Sequence, residues 1–147
     1  MRVLLLSTYD LGHQPFALAS LAAFLSSKGA EVVCNDLAAE PLREAELRST
    51  PLVAIHLAMH TATRLALELL PRLKHLNPNS HICFFGLYAP MTGEILKAEK
   101  NMTFVGGEFE AGVADIYSRL NKSGSLIGQD RVINILQKNK YHVPNRD

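Results

Sequence analysis

The sequence has little of what usually identifies a chemistry or a partner. Among its 147 residues there is no tryptophan, there are two cysteines, and basic and acidic residues nearly cancel to a formal net charge of +1. A balanced charge gives no electrostatic footprint for nucleic acid or for an anionic membrane surface. No stretch approaches the roughly 18 uninterrupted apolar residues that span a bilayer, and the first apolar run is too short for a signal peptide. We therefore expect a cytoplasmic protein without nucleic-acid or membrane partners.

Catalytic motifs are equally scarce. The sequence has no nucleophile elbow, no P-loop, no G-x-G-x-x-G fingerprint and no obvious acid–base pair. Cys34 and Cys83 each fall in an apolar run that predicts a buried strand, a placement typical of reduced structural thiols rather than of a disulfide or a metal site. We therefore predict neither a catalytic residue nor a metal ligand in this chain.

What the sequence does contain is a regular alternation of short apolar runs with stretches of helical period. The runs predicted as strands are 3–6, 31–34, 52–57, 82–85 and 103–105. Strands separated by helices predict a parallel sheet with right-handed crossovers. The length favours the flavodoxin-like, doubly wound α/β fold with strand order 2-1-3-4-5 over the longer six-stranded arrangement.

Helices are predicted over 16–27, 42–48, 61–76, 92–100 and 108–120. Pro15 begins the first and Gly29 ends it, Thr61 caps the third, and Pro71 is expected to kink or divide that helix. The α/β domain then spans 1–121. Residues 122–147 are predicted as a linker, a weak helix over 127–139 and an extended tail without a closing element, which indicates that a further domain follows.

Ligands of open α/β sheets bind outside the carboxyl ends of the strands, near the switch point, which here lies between strands 1 and 3. The loops 8–15, 58–61, 86–91 and 106–110 form the predicted walls. The first begins a helix and suits a polar or phosphate-bearing ligand with His13 as a contact, although Asp10 capping an ordinary turn explains it as well. The candidate binding residues are Thr8, Asp10, Leu11, Gly12, His13, Gln14, Met59, His60, Thr61, Gly86, Leu87, Tyr88, Gly106, Gly107 and Glu108.

Several of these residues also have a structural explanation. His56 and His60 are four apart, which suits a metal on one helix face, but His56 is assigned to strand 3 and His60 to the following loop. We favour a dry structural role for His56 and leave His60 open as a pocket wall. The glycines at 86, 106 and 107 fit close approach to a ligand or tight turns equally, and Glu108 suits the beginning of a helix.

Four segments resemble a known family, the N-terminal cobalamin-binding-type domain that precedes the catalytic barrel in many radical SAM enzymes. Residues 15–25 with 29–32 resemble its first helix and second strand, 85–90 stand where it has a Gly-Gly-Pro-His turn, 105–110 resemble its Gly-Glu-Gly-Glu turn, and 143–146 resemble the connector to the barrel. Residues 11–15, 59–64 and 86–90 together are similar to a narrower branch, whose chains end in a cysteine- or selenocysteine-containing Ala-Glu-Pro motif.

The resemblance implies a cobalamin-binding accessory domain. Cobalamin would lie across the strand ends, its corrin flanked by 10–15, 59–61 and 86–90, and its nucleotide tail beside strands 4 and 5. The family's cysteine triplet is absent, so a radical SAM domain in cis would carry the iron–sulfur cluster and S-adenosylmethionine. The motif Asp-x-His-x-x-Gly is absent too, which makes His13 a contact rather than an expected cobalt ligand. The alternative is the same fold with the site lost, in which Leu87 and Tyr88 fill the crevice of a structural domain.

Two other classes agree less well with the residues. A phosphoacceptor receiver shares the strand order, and Asp10 could serve its acidic cluster. However, strand 3 ends in His56-Leu57-Ala58 rather than in an aspartate, and no lysine follows strand 5. A free-standing metal enzyme that uses His13, His56 and His60 lacks a nearby carboxylate or cysteine to complete the ligand set.

Overall fold

A computed structural model places six parallel strands in one sheet, in the order β2-β1-β3-β4-β5-β6. It describes residues 1–11, 15–96, 101–123 and 132–135, with the backbone alone for Ile95 and for 132–135. The strands are β1 Arg2–Ser7, β2 Glu31–Asp36, β3 Leu52–His56, β4 His81–Phe85, β5 Met102–Gly107 and β6 Val132–Ile135. The helices are α1 Phe16–Ser27, α2 Glu44–Ser49, α3 His60–Leu76, α4 Ala89–Leu96 and α5 Phe109–Ser123. The α/β fold and the order 2-1-3-4-5 of the first five strands are confirmed.

The central strands are apolar throughout because helices cover both faces of the sheet. Every residue of β3 and β4 is buried. On one face, α1 and α5 pack on alternate strand residues such as Leu5, Ala54 and Phe85. We call this the α1/α5 layer. On the other face, α2, α3 and α4 pack on the residues between them, such as Phe84 and Phe104, whose rings stack at 5.1 Å. We call this the α3/α4 layer.

Gly29 ends α1 as the sequence predicts. It adopts a φ of +92°, which an L-residue rarely takes. The Ala30 N–H donates to Leu25 O and the Gly29 N–H to Ser26 O, so the last carbonyls of the helix are satisfied by a Schellman motif. The chain then turns directly into β2.

Four local predictions are wrong. Met59, not Thr61, is the N-cap of α3, without a side-chain cap, because the helix begins one residue earlier, at His60. That helix runs unbroken through Pro71, so of the two predicted effects, a kink or a division, the division does not occur. Cys83 is buried as predicted, but Cys34 is exposed, because β2 has a neighbouring strand on one side only.

The fourth correction concerns the segment after the fifth strand. α5 continues to Ser123, and residues 132–135 form β6 where the sequence predicts a weak helix. The reason is a contact with a distant part of the chain. The outer side of β5 offers backbone groups for pairing, and Val132, Ile133 and Ile135 are β-branched residues that favour a strand. The rest of the predicted helix and the extended tail lie outside the described residues. Nor does any helix within the described ranges combine the length and the apolar character of a membrane-spanning segment.

The packing predicts a clear contrast between two apolar side chains. Phe84 is fully buried against Phe104, whereas Met91 is 51% exposed. Phe84→Ala is expected to lower the free energy of unfolding by about 3–5 kcal/mol through the cavity it leaves, whereas Met91→Ala should change it by less than about 0.5 kcal/mol. Urea unfolding of both variants checks this, and a Phe84→Ala variant as stable as the parent would contradict the described core.

Candidate functional site at the carboxyl edge of the sheet

Because the strands are parallel, the loops that follow β1, β3, β4 and β5 all emerge at one edge, which we call the carboxyl edge. β1 and β3 are neighbours in the sheet, yet the chain leaves β1 through α1 toward β2 and leaves β3 through α3 toward β4. These two crossovers run in opposite directions and on opposite faces. The four loops predicted as walls therefore surround a topological switch point, which is where open α/β sheets bind ligands.

In the loop after β1, Thr8 is tied into the fold. Its Oγ1 donates a 2.8 Å hydrogen bond to Ala62 O in the first turn of α3, so the hydroxyl of Thr8 joins the loop to that helix. Leu11 follows with a φ of +50°, a conformation that is uncommon for a residue other than glycine and that is found most often at functional loops. Gly12, His13 and Gln14, predicted as contacts, lie outside the described residues.

The helices that flank the switch point begin there without compensation from their own first turns. The N-caps of α1 and α3, Pro15 and Met59, make no side-chain capping bond, and neither first turn contains an acidic residue. A helix N-terminus of this kind favours negative charge and hydrogen-bond acceptors. His60 is exposed as the first residue of α3, rather than in a loop, and Thr61 is half-buried beside it.

The loop after β4 requires glycine at its first position. Gly86 has a φ of +110°, and a Cβ built on it would lie 2.9 Å from Cδ2 and 3.1 Å from Nε2 of His56. Gly86 therefore lets the β4 loop pass directly over the His56 ring. The next two side chains diverge, since Leu87 is 78% exposed while Tyr88 is half-buried and packs on the α3/α4 layer.

The loop after β5 brings a second glycine turn to the same edge. Gly106 is buried within β5, and Gly107 ends the strand with a φ of +66°. Glu108 is half-buried between β5 and α5. The strand thus extends two residues beyond the predicted end at Val105, and the helix begins one residue after the predicted Glu108. The topology brings this strand-to-helix turn to the same edge as Gly86.

The most conspicuous feature of the carboxyl edge is a set of exposed apolar side chains. All the large hydrophobic side chains that are exposed in the described ranges lie there: Leu11 at 63%, Phe16 at 57%, Leu87 at 78% and Met91 at 51%. We call these four residues the apolar rim. Phe16 and Met91 are absent from the predicted contacts, because their exposure depends on how α1 and α4 meet the sheet. Exposed apolar side chains that are concentrated at one end of a fold are typical of binding surfaces.

Beneath the rim, His56 is enclosed by aromatic rings. Its ring stacks on Phe85 at a centroid distance of 5.1 Å and lies at an angle to Phe109 at 6.2 Å. Burial lowers the pKa of His56 to about 4, against the opposing effect of the nearby Asp10 carboxylate, so the imidazole is neutral at pH 7. This agrees with the predicted structural role and with a position in the strand.

Two other kinds of site were considered in the described residues, a metal centre and a cavity away from the carboxyl edge. Across the described parts of the chain, no group of three or more His, Cys, Asp and Glu side chains could hold a metal ion. A cavity of about 470 Å³ lies at the opposite, amino edge, lined by Lys74, Asn77 and Asn101 among others. The Asn77 amide there already donates to Leu47 O and Thr50 O, so its donors serve the fold.

Comparison with known proteins adds no assignment. No protein-family model matches the chain, and no curated protein matches it at a significant level. The similarity to the cobalamin-binding-type domain therefore remains a prediction from sequence motifs.

The structure contains a second buried histidine that makes a matched comparison with His56 possible. His81 lies at the amino end of β4, and its Nε2 is 2.7 Å from Thr103 Oγ1, whereas Nδ1 of His56 has no partner in the described part of the chain. His56→Phe keeps the aromatic stack and removes the unpaired atom, so we expect stability to be unchanged or raised by up to about 1 kcal/mol. His81→Phe leaves Thr103 unpaired and should cost about 1–3 kcal/mol. Equal losses in urea unfolding would contradict the assignment.

The same two histidines predict the acid sensitivity of the fold. Burial lowers the pKa of each from 6.5 to about 4, so between these values the unfolded chain binds more protons than the folded chain. The stabilisation is complete above about pH 6.5 and falls, as the pH drops toward 4, by up to about 1.4 kcal/mol per pH unit for each histidine. Urea unfolding at several pH values in this window measures the slope, and His81→Phe should reduce it by about half. A flat profile would contradict the burial of both rings.

Proposed function

We propose that this chain is a cobalamin-binding accessory domain of a radical SAM enzyme and that it holds the cofactor at the carboxyl edge of its sheet. The observation that carries the proposal is the apolar rim, Leu11, Phe16, Leu87 and Met91, whose residues follow β1 and β4 at the carboxyl edge. Covering exposed apolar side chains is favourable. A corrin is a large, flat ring with an extensive apolar surface, and it matches such a rim.

The polar features of the edge suit the polar parts of the same cofactor. Cobalamin carries carboxamide arms and a phosphodiester in its nucleotide loop. The N-termini of α1 and α3, which lack side-chain caps and first-turn acids, favour such acceptor groups. Gly107 is exposed, adopts a positive φ and keeps its turn free of a Cβ atom, which lets a ligand approach the backbone there.

The orientation of Leu87 weighs against the alternative of a lost site. In that alternative the side chains after Gly86 fill the crevice, yet Leu87 is 78% exposed and Tyr88 packs on the α3/α4 layer. We therefore favour the cofactor-binding function over a purely structural domain.

The work of this chain in the proposed enzyme is to bind and to orient. When bound, cobalamin supplies a cobalt centre for methyl transfer or for another radical reaction, and the radical SAM domain in cis supplies the iron–sulfur cluster and S-adenosylmethionine. The rim residues would hold the ring, and the helix N-termini would hold its polar arms. No residue of this chain is assigned a catalytic role, and His13 is proposed as a contact.

Reconstitution with hydroxocobalamin tests the proposal. The purified chain is mixed with the cofactor and desalted, and its absorption spectrum is compared with that of the free cofactor. Retained cobalamin with a shifted spectrum, in about one equivalent, is expected. A desalted protein without cobalamin would sink the proposal.

A matched pair of variants tests the role of the rim. Leu87→Ser with Met91→Ser removes apolar side-chain area whose burial against the cofactor contributes roughly 1 kcal/mol or more per side chain. The dissociation constant for cobalamin should therefore rise by about tenfold or more. The control is His75→Ser with Asn79→Ser, two exposed positions at the amino edge, which should leave it unchanged. Equal dissociation constants for the two double variants would contradict binding at the rim.

A further inference from the structure

Three buried side-chain atoms in the described part of the chain have no hydrogen-bond partner: Ser7 Oγ, His56 Nδ1 and Glu110 Oε2. Their residues are 0%, 9% and 4% exposed. A buried polar atom without a partner is unfavourable, and most such atoms in native proteins are paired. Finding all three at one end of one layer therefore requires an explanation.

Sheet register brings the first two together. Ser7 is the last residue of β1, His56 is the last residue of β3, and the two are paired neighbours in the parallel ladder. Paired residues of parallel strands direct their side chains to the same face. Ser7 continues the alternation of Val3 and Leu5, which belong to the α1/α5 layer.

Helix packing brings Glu110 to the same place. Glu110 is the second residue of α5 and follows Phe109, whose ring contacts both His56 and Phe85. Its Oε1 accepts a 3.1 Å hydrogen bond from the Ser20 hydroxyl of α1, while Oε2 is unpaired. The carboxylate thus lies between α1 and α5, at the end of the layer where β1 and β3 finish.

We propose that Ser7, His56 and Glu110 form a buried polar subsite for a neutral, planar carboxamide. A carboxamide carries both N–H donors and a carbonyl acceptor, so it can donate to Glu110 Oε2 and exchange hydrogen bonds with the Ser7 hydroxyl and the His56 imidazole. The rings of Phe85 and Phe109 give the subsite flat apolar walls. The three residues end strands or begin a helix, so they lie at the carboxyl end of the α1/α5 layer rather than in its middle.

Charge decides between a carboxamide and an ion. A ligand carboxylate would meet the Glu110 carboxylate in a buried place, where like charges repel strongly. An ammonium has three donors and no acceptor, so it would leave the hydrogen of the Ser7 hydroxyl unpaired. Glu110 also gains part of its compensation from Ser20 and from the N-terminus of α5 already. A neutral group avoids both costs and still pairs with all three atoms.

The inference rests on the proposed function only for the identity of the ligand, because the corrin ring carries several primary carboxamide arms. The subsite itself is tested without cobalamin. Four probes of similar shape differ in charge and polarity: benzamide, benzoate, benzylamine and toluene. Binding of each to the whole chain is measured by ligand-observed NMR and by shifts of the His56 ring nitrogens. Benzamide is expected to bind at least tenfold more tightly than the other three.

Variants then locate the binding. Glu110→Gln keeps the shape of the side chain and His56→Phe keeps an aromatic ring, and each changes one of the unpaired polar atoms, so each should weaken benzamide binding by at least fivefold. The matched control is His81→Phe, which changes a buried histidine at the amino end of the same sheet, one that is already paired with Thr103. It should leave benzamide binding unchanged.

Each contrary result overturns a definite part of the proposal. Equal binding of toluene means an apolar cavity only, tighter binding of benzylamine means a cation site, and equal losses in His56→Phe and His81→Phe mean a general effect on folding. Absence of benzamide binding rejects the subsite. If benzamide binds as expected and hydroxocobalamin is not retained, the proposed function fails and the subsite stands. If benzamide does not bind while the parent and His56→Phe retain cobalamin equally, the subsite fails and the proposed function stands.

Discussion

Burial of the parallel sheet on both faces is the constraint on which the rest of the structure depends. It requires β3 and β4 to be inaccessible to water along their whole length, and it confines polar side chains to the ends of the strands. Ser7 and His56 are such ends, as is His81 at the beginning of β4. Whatever polar chemistry the fold has must therefore lie at one of two edges, because the middle of the sheet has no room for it.

The two edges solve this problem differently. At the amino edge the polar groups are paired within the chain, as in the Arg2–Glu31 ion pair and the contact between His81 and Thr103. At the carboxyl edge the described residues include unpaired buried atoms on Ser7 and His56 and the exposed apolar rim. An edge that is both unsatisfied and apolar on its surface is less stable alone than when covered. That asymmetry is the physical basis for proposing that a ligand binds at the carboxyl edge.

The sequence predicts most of the fold because its strongest signals are local. Continuous apolar runs identify β3 and β4, and the helical period followed by Gly29 defines α1 to the residue. Features that depend on distant contacts are not predictable in this way. Residues 132–135 form a strand because the edge of β5 is there to pair with, and no local pattern in that segment contains this information.

The features of the candidate site likewise fall into those that follow from local sequence and those that depend on distant contacts. The four loops follow from the positions of the strand ends, so Gly86, Gly107 and Leu87 are found from sequence. The pairing of Ser20 with Glu110 joins residues that are 90 apart in the chain, and the exposure of Phe16 contrasts with the burial of Leu18 on the same apolar helix. The sequence does not show that Ser20 and Glu110 are both buried. A serine on the buried face of α1 is the one signal that points to such a partner.

Amide hydrogen exchange with and without hydroxocobalamin tests the central claim most directly, because it reports where the cofactor binds as well as whether it binds. The account predicts slower exchange confined to the carboxyl edge, in the loops after β1, β3, β4 and β5, with the amino edge around Asn77 and Asn101 unchanged. Unchanged exchange throughout the chain, or protection around the amino-edge cavity instead, would contradict it.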